Sequence, residues 1–404
     1  MAYIRRAGSA QASRCLDSAR PGRAQCSTPL GSGRPGFGLY ASAGQGGLDV
    51  RRLAFIAMTV LGCCRGALAA DIVETPVDPP TAPVVAPMPR ESGRLTIIEE
   101  NDALMPNPTD RWYTQGFELN YLSAPIAGTG VAAFLPSTYL NPGSFRTQRF
   151  ELIFGQSIFT PANLRLNPPD PTDRPYAGWM FGGAGLYQET DRHSLDHVEL
   201  LVGVVGPAAL GEQVQNGFHT LISGINSQVA AAGWGSQLKN EPGVVLSYEH
   251  KWRVDAPLGG GFSVDFIPEV GGSLGNVFTY GEASAMLRFG QNLKADYGPA
   301  RMRPSLSGTT WFDPSQLEGP LGWYLFVGAQ GRAVARNVFL DGNTFVSSPS
   351  VRKETFVGDL SAGLSFFWSD LTKVDFVLTW RSKEFTAQAE PDRYGGVNIS
   401  FKLP

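Results

Sequence analysis

The body of this sequence lacks cysteine, because all four cysteines precede residue 71. It therefore has no disulfide framework, no thiolate metal site and no cysteine nucleophile. Long apolar runs are also missing, and the longest, Leu53–Cys64, is shorter than the about 18 residues that a membrane-spanning helix needs. Charged residues make up only 17% of the chain, whereas 24 Phe, 12 Tyr and 8 Trp exclude a disordered chain. These limits together indicate an all-β protein, either soluble or embedded in a membrane.

Residues 1–70 differ sharply from the rest in charge. They hold nine Arg, no Lys and two acidic residues, whereas the remainder holds 24 basic and 34 acidic residues. A body with that excess of acid is a poor candidate for binding nucleic acid.

The end of this region has the order of a secretory signal peptide at 51–70. Arg51-Arg52 is followed by an apolar stretch and then by Ala67-Leu68-Ala69, which predicts cleavage near Ala69 or Ala70. Residues 1–50 lack any periodicity, and we interpret them as an over-extended start. A lipoprotein signal ending at Cys63 is the alternative, and both readings predict export.

Residues 71–93 are rich in proline and predict a stiff tether, whereas residues 94–404 alternate apolar and polar side chains with a period of two. Such alternation gives strands with one apolar and one polar face. We therefore predict an antiparallel transmembrane β-barrel of about 12 strands in the bacterial outer membrane, with a periplasmic β-sandwich or soluble barrel as the alternative. The predicted strands are 95–100, 115–123, 148–156, 178–189, 197–205, 243–254, 262–273, 282–290, 322–336, 353–368, 372–385 and 393–403.

The period changes once, at Ala208–Ile222, which predicts a short helix near the barrel mouth. Val214 and Phe218 fall on one helical face, and Gln215 and His219 fall four residues apart on an adjoining face. Gln215 and His219 on one helical face could act together in catalysis. The alternative is a capping helix on which His219 is only a surface residue.

Five segments next to these elements carry a resemblance. They are Glu100-Asn101-Asp102, TDRWYTQG (109–116), DRPYAGW (173–179), GVVGPAALGEQVQNGFH (203–219) and GWGSQLKNEPG (233–243). In this order and spacing they resemble the outer-membrane lipid A 3′-O-deacylase family, over about residues 95–403. Within the third segment, Arg174 is predicted to fix a turn with Asp173, and contact with a lipid phosphate is the alternative.

The resemblance implies a twelve-stranded barrel that hydrolyses the ester of the 3′-linked acyloxyacyl chain of lipid A in the outer leaflet and that depends on calcium. The family's catalytic Asn-Asp pair falls on Asn101 and Asp102, its threonine on Thr114, and its helical Gln and His on Gln215 and His219. The acidic residue that follows this histidine in the family has no counterpart here before Glu241.

These residues suit ester hydrolysis. His219 could deprotonate a water, with Gln215 or Glu212 orienting the ring, and Asp102 is a hard oxygen ligand for calcium. Asn101 and Thr114 could contribute hydrogen bonds to the developing oxyanion, or interact with the metal. We expect a monomer whose partner is lipid A or lipopolysaccharide. One alternative is a non-catalytic structural or narrow-channel barrel. Another is a phospholipase barrel with an Asn-His-Ser site, which is weakened because this sequence has no serine suitably spaced from His219.

Overall fold

Thirteen antiparallel strands form one sheet in the computed structural model, which describes residues 91–105, 110–126, 147–191, 193–222, 231–304 and 308–404. The leader, the signal peptide and nearly all of the Pro-rich tether lie outside the described residues. The strands are β1 (Arg94–Asn101), β2 (Trp112–Leu122), β3 (Thr147–Thr160), β4 (Ala177–Glu189), β5 (Ser194–Val205), β6 (Glu241–Trp252), β7 (Val254–Gly259), β8 (Phe262–Gly275), β9 (Phe278–Gln291), β10 (Leu321–Asn337), β11 (Phe356–Trp368), β12 (Thr372–Arg381) and β13 (Asp392–Lys402).

The sheet closes on itself at two junctions. β1 pairs with β13 from Arg94 opposite Lys402, and β6 pairs with β8 from Val245 opposite Gly275. β6 and β7 are successive lengths of one strand interrupted at Arg253, and both pair with β8. The result is a closed antiparallel barrel of twelve strands, as the period-two pattern predicts. Closure pairs every strand edge, which a barrel in lipid requires.

Alternation along each strand separates a polar interior from an apolar exterior. In β1, Arg94, Thr96 and Glu100 are buried inside the barrel, whereas Leu95 and Ile97 face outward. In β3, Phe150, Leu152 and Phe154 are exposed on the outer wall. A band of exposed aromatic and aliphatic side chains is the surface that lipid covers in an outer-membrane barrel.

The described residues 292–304 and 308–320 connect β9 to β10, and buried side chains among them, including those of Arg301, Thr309 and Trp311, occupy the barrel interior; we call this stretch the inner segment. Arg301 of this segment bonds Glu100 of β1 at 2.6 Å, and its Arg303 bonds Glu199 of β5 at 3.0 Å. A cavity of about 30 Å³ lies beside Glu199, which is room for only a few water molecules. The described part of the interior is therefore packed with side chains and does not resemble a wide pore.

Strand direction gathers the connections into two ends. One end carries the start of β1 and the finish of β13. The other, which we call the site end, carries the described parts of the connections 102–111, 161–176, 206–240, 276–277, 338–355 and 382–391. All five segments of the family resemblance reach this end, because each lies where a strand begins or stops there.

The helix α1 (Gly211–Ile222) packs against the outer wall at the site end, and a short helix α2 (Val338–Asp341) follows β10. α1 begins three residues later than predicted, because a 3-10 turn (Pro207–Ala209) and Leu210, with φ of 60°, precede it. Val214 of α1 packs against a cluster of buried side chains that includes Ile158 of β3 and Trp234. Among the described residues, no helix is both long and apolar enough to cross a membrane.

A glycine on β4 explains how closely α1 approaches the wall. A Cβ at Gly178 would stand 3.0 Å from the Cβ of Ala209 and 3.3 Å from the backbone nitrogen of Gly211. A side chain here would make contacts tighter than almost all Cβ contacts in proteins, so glycine suits the close approach of the helix start.

Candidate functional site

A row of polar side chains crosses the outer wall at the site end. Asn101, the last residue of β1, is paired with Gln115 of β2, and both face outward where Leu95 and Ile97 face lipid lower on the same strand. The Asn101 side-chain oxygen accepts a hydrogen bond from the backbone nitrogen of Ala103 at 2.8 Å, which caps the 3-10 turn Asp102–Leu104. The side-chain Nδ2 of Asn101 carries two N–H donors; one of them bonds the Glu99 carboxylate, and the other could donate to a substrate.

Thr114 lies at a β-bulge immediately beside this row. The register between β2 and β3 shifts between Tyr113 and Gln115, so Thr114 has no opposite residue on β3. Its hydroxyl is buried and lies 2.7 Å from the hydroxyl of Thr160. Bulges redirect side chains and are common beside active sites. Thr160 belongs to this hydroxyl pair and was not among the predicted site residues.

Asp102 is buried directly above β1 and accepts a hydrogen bond from the backbone nitrogen of Arg111 at 2.6 Å. Burial, followed by repulsion from the carboxylate of Asp110, raises the pKa of Asp102 to about 8. Asp392, at the start of β13, adds further repulsion. A divalent cation would relieve the repulsion among these carboxylates, so the donor set fits the predicted calcium ligand Asp102.

Gln215 connects α1 to Asp110, whose carboxylate acts on Asp102. It is buried, its Oε1 accepts from the indole nitrogen of Trp234 at 2.9 Å, and its Nε2 donates to Oδ1 of Asp110 at 3.3 Å. Both ends of the amide are therefore engaged. Gln215 was predicted as a residue that could orient the ring of His219, but both ends of its amide bond other residues. We call its hydrogen bonds to Asp110 and Trp234 the clamp, because they hold α1 against this part of the chain.

His219 lies on α1 one helical turn beyond Gln215, and its side chain is outside the described residues. The backbone position agrees with the predicted shared helical face, because residues four apart are neighbours on a helix surface. Glu212, the other candidate for orienting the ring, is exposed at the start of the helix.

Asp110 is the main functional candidate that sequence reasoning missed. It contacts Gln215 and acts electrostatically on Asp102, and its backbone has a φ of 47°, as Trp112 has a φ of 63°. Positive φ is uncommon outside glycine and concentrates at functional sites. The segment TDRWYTQG contained this residue, but its significance depends on contacts with residues about a hundred positions away.

Side chains of the DRPYAGW segment bond to Trp112 and to the β12–β13 connection and so hold the surroundings of the candidate site in place. Asp173 accepts from the indole of Trp112 at 3.3 Å and from the backbone nitrogen of Arg174 at 2.8 Å. The Arg174 guanidinium is fully buried and bonds Glu384 at 3.0 Å, so its ion-pair partner is not Asp173. Although burial alone would raise it, the charges of Arg174 and Arg381 hold the pKa of Glu384 below its ordinary value. Arg174 thus ties the β3–β4 connection to the β12–β13 connection, and its burial disfavours contact with lipid phosphate.

Within the described part of the chain, two clusters of Glu and His side chains could hold a metal by geometry, and both lie inside the barrel. One is Glu151, His197 and Glu199, and the other is Glu249, Glu269 and Glu282. Arg303 bonds Glu199 and Glu249, and Lys251 bonds Glu269 at 2.8 Å. These cations already compensate part of the negative charge of both clusters, and Asp102 stays the metal ligand predicted from the sequence.

A family model described as outer membrane protein LpxR matches residues 59–403. The chain belongs to this family. LpxR from Salmonella typhimurium has a similar fold, with a TM-score of 0.60 and 22% sequence identity, over 77% of this chain and 100% of that one. The family and the closed barrel place the protein in the bacterial outer membrane.

Other solved barrels are more distant. The β domain of the Bordetella autotransporter BrkA aligns at a TM-score of 0.37 and 9% identity, over 77% of this chain and 98% of that one. The translocator domain of NalP from Neisseria meningitidis aligns at 0.30 and 10%, over 78% and 90%. No curated protein sequence matches the chain.

Proposed function

We propose that the protein is an outer-membrane lipid A deacylase that hydrolyses the ester of the 3′-linked acyloxyacyl chain and requires calcium. The observation that carries the proposal is the location of the candidate site. Asn101 and Gln115 lie on the lipid-facing wall, at the same end as α1, rather than inside the barrel. A substrate held in a leaflet of the membrane would reach such a site without entering the barrel.

His219 acts in this proposal as the general base that takes a proton from the attacking water. Gln215 positions it indirectly, because the clamp to Asp110 and Trp234 fixes the helix against the wall. The side-chain Nδ2 of Asn101 and the hydroxyl of Thr114 would donate to the oxygen that becomes negative as the ester carbonyl is attacked. Preorganised donors of this kind are worth about 10²–10³ in rate for each donor removed.

Asp102 and Asp110 are the residues that would hold calcium. Bound there, the ion would polarise the ester carbonyl as a Lewis acid. The family has an acidic residue after the histidine, and this chain has none at that position. Asp110 would take its place, because it supplies a second carboxylate that acts on Asp102. The non-catalytic alternative receives no comparable support, since the inner segment fills the described interior that a channel would need.

The test is release of the 3′-linked chain from purified lipid A in detergent with millimolar calcium. His219→Ala should lower the rate by at least the roughly 10²–10⁴-fold of general-base catalysis. The matched control is His193→Asn, at the opposite end of the barrel, where φ is 56° and asparagine is tolerated. Wild-type release by folded His219→Ala protein would refute the mechanism, and an inactive wild type would refute the function.

A further inference from the structure

Glu99 is a carboxylate on the lipid-facing side of the barrel wall. β1 alternates strictly, with Glu100 buried inside and Glu99 turned outward between Ile97 and Asn101. Its neighbours across the sheet are Phe117 on β2 and Val397 on β13, both of which face outward. An acidic residue therefore occupies a wall position with apolar side chains on both neighbouring strands and with the polar side chains of Asn101 and Gln115 on its site-end side.

Two neighbouring side chains, those of Asn101 and Gln115, donate hydrogen bonds to the Glu99 carboxylate, and neither of them is cationic. No cationic side chain in the described ranges lies within ion-pair distance of Glu99, whereas Glu100 next to it pairs with Arg301 at 2.6 Å. The side chain of Gln115 donates to Oε1 of Glu99 at 3.3 Å, a long bond. An ionised carboxylate has about four acceptor positions, so Glu99 retains capacity for further donors.

A charge on the lipid face of a barrel costs free energy, and that cost favours a functional reason for it. Glu99 is two residues below Asn101 on the same face, and such residues are about 6.6 Å apart along a strand. The carboxylate is thus within the length of one sugar ring of the predicted catalytic residue. A group bound at Asn101 would bring its neighbouring atoms to Glu99.

We propose that Glu99 is a specificity-determining residue that accepts a hydrogen bond from a hydroxyl or amide N–H group beside the scissile ester. The inference rests on the proposed function, because it takes the ester to be bound at Asn101. A carboxylate accepts hydrogen bonds and does not donate them when ionised. It therefore favours glycolipid head groups, which carry such donors, over lipids whose ester lies among groups without N–H or O–H.

The test measures binding separately from turnover. Lipid A and phosphatidylcholine, which has no N–H or O–H donor, are titrated by native mass spectrometry against proteins carrying His219→Ala to prevent hydrolysis. Glu99→Ala should raise the Kd for lipid A by about 10- to 100-fold, as expected for loss of a hydrogen bond to a charged group, and leave phosphatidylcholine unchanged. Glu99→Gln keeps an acceptor oxygen and should give an intermediate Kd.

Glu354→Gln is the matched control, because Glu354 is a partly exposed carboxylate at the site end that accepts one bond, from Thr386 at 3.2 Å. It should bind both lipids like its parent. Unchanged lipid A binding by Glu99→Ala, or an equal loss of both lipids, would overturn the inference.

Catalysis separates the two proposals. With His219 restored, Glu99→Ala should raise KM while kcat changes by less than about threefold, as for an interaction present already in the ground state. An active wild type with an unchanged KM in Glu99→Ala would refute the role of Glu99 alone. If the wild type is inactive but Glu99→Ala raises the Kd for lipid A as predicted, the proposed hydrolase activity is refuted and the proposed role of Glu99 in binding is retained.

Discussion

Replacing Gln215 by alanine should detach α1 from the barrel wall. The Gln215 amide joins three parts of the chain, since it accepts from Trp234 at 2.9 Å and donates to Asp110 at 3.3 Å. Trp234 is only 1% exposed, so its indole N–H has no access to bulk water once its partner is gone. The substitution therefore leaves a buried donor without an acceptor while the helix stays docked.

The size of the effect follows from these two bonds. A buried polar group left without its partner costs about 1–3 kcal/mol, and loss of the bond to Asp110 adds about 1 kcal/mol. Undocking of the helix removes this penalty, so the substitution lowers the free energy needed to undock α1 by about 2–4 kcal/mol. This corresponds to a rise of about 30- to 1,000-fold in the undocked population.

Hydrogen exchange of the α1 amides measures that population directly. Gln215→Ala should speed exchange across Gly211–Ile222 by this factor, whereas the amides of β8–β12 should be unaffected. Gln213→Ala is the control, because Gln213 is the same residue type on the same helix and is exposed. Equal exchange in the two variants would refute the clamp and return Gln215 to the list of candidates for direct catalysis.

Three further substitutions test the supports of the site. Arg301→Ala leaves Glu100 buried without its ion pair, so the barrel should lose about 3–5 kcal/mol of stability, seen as a lower temperature at which the heat-modifiable gel band shifts; no shift would contradict the role of the inner segment. Because burial raises the pKa of Asp102 to about 8, its protonated form favours the folded state, and in EGTA stability should fall as pH rises from about 4 to about 8, by at most about 1.4 kcal/mol per pH unit. Asp102→Asn should flatten that slope, and an unchanged slope would assign it to other groups. Gly178→Val puts side-chain atoms where Ala209 stands 3.0 Å from an added Cβ, so it should abolish acyl release while the folded band persists; full activity would show that the helix contact is dispensable.

The sequence predicted the strands well because their signal is local. Alternation over about ten residues identifies a strand wherever one face meets lipid and the other meets polar groups, and each of the twelve predicted spans overlaps an observed strand. Details that depend on hydrogen-bond register were missed. β2 begins at Trp112, three residues early, because the bulge at Thr114 lets pairing continue past the break in alternation.

The site was predicted only in part, because its contacts join distant segments. Asn101, Asp102 and Thr114 lie at strand ends that converge, whereas the clamp of Gln215 on Asp110 spans 105 positions and the Arg174–Glu384 pair spans 210. No local pattern encodes such partners. The inner segment was missed for the same reason, since its polar residues are buried by strands from the whole barrel.

The most direct test of the central claim is a mass spectrum of lipid A from cells with and without the protein. Cells that express the wild type should show lipid A lighter by the mass of the 3′-linked acyloxyacyl chain, and cells that express the folded Asp102→Ala variant should not. Identical spectra from wild-type and empty cells, with the barrel inserted and calcium present, would contradict the assignment of a lipid A deacylase.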